Sequence, residues 1–480
     1  MKPSSSGCSE SWRRTPALFI TVATIAIGVL AGLLRAVIIA PLHVPFDPNE
    51  GWNAYHALAA TTTGNPYPPL GSFMVNNYPP LSFYLVGLFG SWAGDNVVAG
   101  RFVSLVAFVL ICVFSAISLR WLNASVSSSM FAVLFFASTL LLTSDYVGMN
   151  DPQLTGHAFQ LAGLLFVLRR PRTGGYIIAA AALFAAGGFI KHNLFALPLA
   201  CVVWLAAYDR RNAIRLLAGL LAISVGGFVA VKATLGVDLF QQLNSPREFS
   251  FAQLETNLLD WLTATVVPLC ALLWLSFRSA WDETAVLIVL YAAVSIVSGA
   301  ILLGGAGVDV NVMFDSDIAL ALSAGLVISR LAASGRLIWS AAAQILAVLC
   351  ILPLAVIALR TPDWYDPAFW LSPMHDDAVL AKQDIVFLRT SAGPAMCENL
   401  TFCYWAGKRA SVDLFNLNQQ FATGTRDPAL FLRLLRSRVF ASVELDETVP
   451  FPFPKDVKSV FFRSYRIDHQ DDEGIFFVPR

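Results

Sequence analysis

The 480-residue chain is 56% apolar and only 13% charged, with 32 basic and 32 acidic residues. That charged share is about half the share usual in soluble proteins, which argues against a string of ordinary soluble domains. Zero net charge supplies no basic field for nucleic acid, and no acidic tail is present. Charges are sparse up to about residue 360 and frequent beyond it, so the composition divides the chain into residues 1–359 and 360–480.

The chain opens with Arg13 and Arg14, followed by an apolar run from Ala17 to about Ala40. This run exceeds the apolar core of a cleavable signal peptide, and it reads as a retained first spanning helix. Further apolar runs cover residues 97–119, 127–144, 153–168, 174–190, 193–208, 214–234, 258–277, 284–303, 313–329 and 337–359. The expected architecture is a mainly α, polytopic membrane protein of about eleven spans. Basic residues occupy alternate connections: Arg13 and Arg14, Arg120, Arg169 to Arg172, Arg210 to Arg215, Arg278, and Arg330 with Arg336. Excess Lys and Arg marks the cytoplasmic side, so the N-terminus is expected inside and, after an odd number of spans, the C-terminal domain outside.

The connections assigned to the outside hold the chemistry. The first, residues 41–96, contains FDPNEGWNAYHALAATTTG, in which Trp52, Tyr55 and Leu58 share one side of an expected amphipathic helix in the membrane interface. Pro79 and Pro80 are placed to start a second such helix. Asp145, Asn150 and Asp151 lie in the next outer connection. Lys191, His192 and Asn193 occupy another, and Asp309, Asn311, Asp315 and Asp317 a further one. Asp47, Glu50 and Asp151 form the leading acidic trio. Carboxylates near lipid line cavities, bind cations or move protons, although Asp47 before Pro48 also suits a helix cap.

The tail reads as a small soluble α/β domain. DIVFLR is strand-like, DPALFLRLLRSR helical, VFASVEL a strand, and YRIDHQDDEGIFFVP a hairpin turning at Asp-Glu-Gly. Cys112, Cys201, Cys270 and Cys350 fall in apolar runs as small core residues, whereas Cys397 and Cys403 can form a local disulfide in an oxidising compartment. No nucleotide-binding loop, metalloprotease helix or nucleophile elbow is present.

DPNEGWNAY, NYPPLSFYL with Arg101 beyond it, MNDPQL and the tail segment ENLTFCYWAGKR together resemble the GT-C membrane glycosyltransferases. The likeness is to the branch of protein O-mannosyltransferases and lipid A aminoarabinose transferases. It implies a polyprenyl-phosphate-linked sugar as donor and a lipid, glycan or protein acceptor at the outer face of a bacterial inner membrane. It also implies transfer with inversion by one direct displacement. A first-loop carboxylate acts there as general base, and Asp47 and Glu50 are the two candidates, because Asn49-Glu50 stands where the family has Asp-Glu. The basic residue before Pro-Pro-Leu is replaced by Asn77 and Tyr78, which leaves Arg101, Lys191, His192 and Arg247 as candidates for the donor phosphate. Asp151, with Asn150, matches the position implied to bind acceptor or a cation. Metal dependence varies across this fold, and a divalent cation is left open with no ligand spacing to fix it. A lipid or solute transporter, or an inactive lipid-binding relative, is the rival reading.

Overall fold

The computed structural model describes residues 16–69, 71–277, 281–334, 336–446 and 453–480. Arg13, Arg14 and Arg278 of the basic pattern lie outside them. The chain is mainly helical, a multi-pass membrane protein with a small sheet at its C-terminus.

Helix α1 spans Pro16–Ile39. Two loop helices follow, α2 (Pro48–Thr62) and α3 (Leu81–Ala93). The bundle then runs through α4 (Asn96–Trp121), α5 (Val126–Thr143), α6 (Gln153–Leu168), α7 (Gly174–Ile190), α8 (Ala196–Tyr208) and α9 (Arg210–Leu235). After the short α10 (Leu239–Leu243) come α11 (Phe251–Phe277), α12 (Glu283–Leu302), α13 (Phe314–Ala333) and α14 (Leu337–Arg360). A helix stands at each of the eleven apolar runs. Eight of these helices are long and apolar enough to cross a bilayer. The other three, α6, α7 and α8, have 16, 17 and 13 residues. At 1.5 Å per residue they fall short of a hydrocarbon core about 30 Å thick.

Local chemistry sets several helix starts. Asp95 caps α4 by accepting from the backbone N–H of Val97 and Val98, and Asp282 and Asp209 cap α12 and α9 in the same way. Helix α13, buried along nearly its whole length, is the centre of the bundle. Its first turn carries Asp315 and Asp317, which the sequence places in a connection. The structure instead folds them inward, where Asp315 accepts from Tyr291 Oη at 2.6 Å and Asp317 from Trp261 Nε1 at 2.8 Å. Two acids therefore tie the central helix to α12 and α11.

The tail begins with α15 (Pro367–Thr390), capped by Asp366 with Pro367 in its first turn. DIVFLR is thus the end of a helix and not a strand. Ala381, Asp384, Ile385 and Leu388 are its buried positions, a helical spacing that the local run of branched residues conceals. Beyond it lie β1 (Ala395–Cys397), α16 (Leu400–Trp405), α17 (Leu414–Ala422), α18 (Ala429–Arg436), β2 (Ser442–Leu445), α19 (Lys455–Ser464), β3 (Tyr465–Asp471) and β4 (Gly474–Pro479). The sheet order is β1-β2-β4-β3, parallel between β1 and β2 and antiparallel elsewhere. The β3–β4 hairpin turns at Asp472 and Glu473.

This α/β unit sits on the first loop. Trp52, Tyr55 and Phe83 share one apolar core with Leu388, Phe402 and Phe476. The Trp52 and Tyr55 side of α2 therefore packs on protein, while Leu58 is 40% exposed. Contact is close enough to require glycine: a Cβ on Gly51 would lie 2.1 Å from the backbone nitrogen of Thr401. Cys397 and Cys403 are disulfide-bonded, joining β1 to α16. Replacing both with serine is expected to lower stability by roughly 2 kcal/mol, the loop-entropy value for so short a closure. Thermal unfolding of the detergent-solubilised protein checks this, and an unchanged midpoint would refute it.

Candidate functional site

Five segments converge between the bundle and the tail: the start of α2, the loop ahead of α3, residues 144–152 ahead of α6, residues 191–195 after α7, and the segment around Arg247. Their frame is an internal ion pair. Glu50, fully buried, receives Arg101 Nη2 at 2.5 Å and Arg101 Nε at 2.8 Å. The same guanidinium donates to the carbonyls of Leu42 and Val44 at 2.8 and 2.7 Å. Glu50 also accepts from the backbone N–H of Phe46 and of Asn150.

This arrangement bears on three expectations. Arg101 is spent on Glu50 and on backbone carbonyls, which leaves it no donor for a phosphate. Glu50 has both oxygens engaged and no exposed surface. Asn150 donates to the Glu50 carbonyl at 3.0 Å and its own backbone carbonyl accepts from Asn53, so it clamps the two loops together.

Asp47 differs from Glu50 in every respect. It caps α2, accepting from the backbone N–H and the side-chain amide of Asn49, both at 2.7 Å and both on Oδ1. Among the described residues no donor reaches Oδ2. Burial of the half-exposed carboxyl pushes its pKa up to about 6, with the Asn49 hydrogen bonds opposing and the charges of Glu50 and Asp151 adding to the rise.

Asp151 and Lys191 form the second centre. Asp151 uses Oδ1 to accept from the Gln153 N–H at 2.7 Å, and its Oδ2 lies 3.5 Å from Lys191 Nζ. The ammonium sits 3.8 Å from the centre of the Tyr78 ring. Lys191 is only 4% exposed, and among the described residues its Nζ has only the Asp151 carboxylate and Tyr78 beside it. Burial works against its charge, yet Asp151 and Tyr78 hold its pKa above the usual lysine value. Tyr78, which the sequence shows only as the residue standing where a cation was expected, thus supports one brought from elsewhere in the chain.

His192 and Arg247 border this cation. His192 is exposed at the groove's edge, and desolvation, then the charges of Lys191 and Arg247, hold its pKa down to about 4. Arg247 donates to the Ala306 carbonyl at 3.2 Å and lies 5.4 Å from the Phe415 ring centre of the tail. From His192 an apolar groove of about 610 Å³ runs along α7, α8, α9 and α10, walled by Phe184, Phe189, Phe195, Leu217 and Phe228. Asp413, also unforeseen, is buried against α2, where it accepts from Trp52 Nε1 at 3.0 Å.

No family model matches the sequence, and no curated protein matches it. The fold does have counterparts among solved structures. ArnT from Cupriavidus metallidurans, crystallised bound to undecaprenyl phosphate, is similar with a TM-score of 0.60 and 14% identity, over 94% of this chain and 97% of that one. Its apo form is similar with a TM-score of 0.58. The archaeal oligosaccharyltransferase AglB from Archaeoglobus fulgidus, in complex with an inhibitory peptide and a dolichol-phosphate, is similar with a TM-score of 0.53 and 12% identity. That match covers 87% of this chain and 69% of AglB. The chain has the GT-C fold that the sequence motifs resemble.

Proposed function

We propose that this protein is a membrane glycosyltransferase that moves a sugar from a polyprenyl-phosphate donor to an acceptor hydroxyl. The observation that carries this reading is the buried Lys191 ammonium, which among the described residues has one carboxylate at 3.5 Å and the Tyr78 side chain beside it and no further acceptor for its three donors. Buried donors are normally satisfied, so the site calls for an anion. In this reading the donor phosphate meets Lys191, with Arg247 and His192 beside it, and the polyprenyl chain follows the apolar groove. Asp47 Oδ2 removes the proton from the acceptor hydroxyl. The acceptor oxygen bonds to the sugar carbon on the face opposite the phosphate as the carbon–phosphate-oxygen bond breaks, which inverts the carbon and releases polyprenyl phosphate. Asp151 keeps Lys191 charged and positioned.

The fold shared with structures holding undecaprenyl phosphate and dolichol-phosphate supports the donor class. The alternating arginines and the Cys397–Cys403 disulfide support a periplasmic tail in a bacterial inner membrane. Thiol labelling of unreduced protein taken directly from cells is expected to find both cysteines blocked. Free thiols at both positions would place the tail on the reducing side and overturn the orientation.

The experiment that tests the function is transfer from a polyprenyl-phosphate-sugar by purified protein, with Lys191→Met as the decisive variant. A hydrogen bond to a charged group is worth about 1.5–3 kcal/mol, so kcat/KM for the donor should fall roughly 10- to 150-fold, mainly through KM. Unchanged donor kinetics in the folded variant would refute the phosphate assignment. Mass spectrometry of envelope lipids and glycans with and without the gene identifies the sugar and the acceptor.

A further inference from the structure

The β3–β4 hairpin carries a His and two carboxylates that meet the helix leaving the bundle. Asp384, on α15, is 1% exposed. Its Oδ1 lies 3.0 Å from His469 Nε2, and its Oδ2 is buried with no hydrogen-bond partner. Asp471, at the end of β3, completes a group in which one ligand atom from each of the three residues lies within 4.8 Å of the others. The other ring nitrogen, His469 Nδ1, faces Asp468 Oδ2 at 3.1 Å. The histidine is held firmly: it stacks on Phe476 at 4.6 Å between ring centres, and the edge of Phe387 closes on it at 4.9 Å. A register shift between Ile467 and His469 turns this stretch of β3 so that the ring faces α15.

Proton accounting limits what can occupy the middle of this group. An ionised carboxylate only accepts, so the contact with Asp468 places a proton on Nδ1. Nε2, 3.0 Å from an Asp384 oxygen that likewise only accepts, then carries either a second proton or a cation in its place, with Asp471 beside it. A second proton on Nε2 would satisfy Asp384 Oδ1 alone and would leave the buried Oδ2 unpaired. One cation between the three residues satisfies all of them. The Asp468–His469 contact is also the outer carboxylate–histidine pairing that fixes tautomer and orientation in metal centres.

We propose that Asp384, His469 and Asp471 bind a first-row divalent cation of the zinc or manganese class. One imidazole nitrogen and two carboxylates suit such ions, and the partial exposure of His469 leaves room for a water as a further ligand. The ion fastens the hairpin to α15. It also sets one wall of a polar cavity of about 390 Å³ that Arg35 and Asp145 of the bundle line together with Asp377, Asp472 and Glu473. The inference is independent of the transferase reading.

The test uses full-length protein in detergent, stripped with chelator and titrated with zinc while binding and thermal unfolding are followed. Wild type should take up zinc and melt at higher temperature with it, whereas Asp384→Asn and His469→Gln should lose both responses. Asp468→Asn should weaken zinc binding about 10- to 100-fold while leaving the apo protein's melting unchanged. Zinc uptake that persists in His469→Gln, or a zinc-independent midpoint in wild type, would overturn the proposal. His469→Gln alters a side chain at the rim, so the test stands even if Asp384→Asn fails to fold.

Discussion

Asp47→Asn should abolish nearly all transfer while donor binding persists. Asparagine keeps the size of the side chain and, through its carbonyl oxygen, the cap on the Asn49 N–H, so α2 should start at the same residue. What disappears is the oxygen that can take up a proton. General-base catalysis typically contributes about 100- to 10,000-fold, and kcat should fall by that order with little change in the donor KM. The same carboxyl predicts the pH dependence. With its pKa pushed up to about 6, the working form is the ionised one. Turnover should therefore rise with pH through about 6, level off above it, and decline as pH falls and the carboxyl protonates. A folded Asp47→Asn enzyme with near-normal kcat would remove Asp47 from the mechanism, and a rate that ignores pH between about 5 and 7 would remove the raised pKa from it.

Much of the frame was legible because it is local. The Asp47 cap, the helix started by Pro80 and the β3–β4 hairpin each depend on residues a few positions apart, and the apolar runs declare the bundle by composition alone. Two kinds of feature escaped. DIVFLR was misread because branched residues suggest a strand, while the helical spacing that decides the matter starts at Ala381, outside the motif. The pairings within the site escaped because the partners are distant in sequence. Glu50 finds Arg101 51 positions on and Asn150 100 positions on, and Lys191 meets Tyr78 across the five helices α3 to α7. A single sequence shows that Arg101 and Lys191 are both basic and near membrane ends. It does not show that the first is enclosed by Glu50 and backbone carbonyls while the second meets one carboxylate at 3.5 Å and the Tyr78 side chain.

The Glu50–Arg101 pair yields the other large expected effect, and it is one of stability. Both side chains are fully buried, and the guanidinium is further held by the carbonyls of Leu42 and Val44. Removing one partner strands a buried charge, a loss of about 3–5 kcal/mol, whereas replacing both with neutral groups of similar volume is far cheaper. Glu50→Gln and Arg101→Met should each lower the unfolding midpoint sharply and loosen residues 41–50, which limited proteolysis of that segment will register. The double variant should recover much of the stability lost by either single change, a coupling that a thermodynamic cycle measures directly. Activity supplies the discriminating readout. If Glu50 only anchors the loop, transfer should return with stability in the double variant, since Asp47 and Lys191 are again in place. If Glu50 is itself the base, turnover will stay lost in the double variant even though its stability returns. That outcome would reverse the roles assigned to the two first-loop carboxylates.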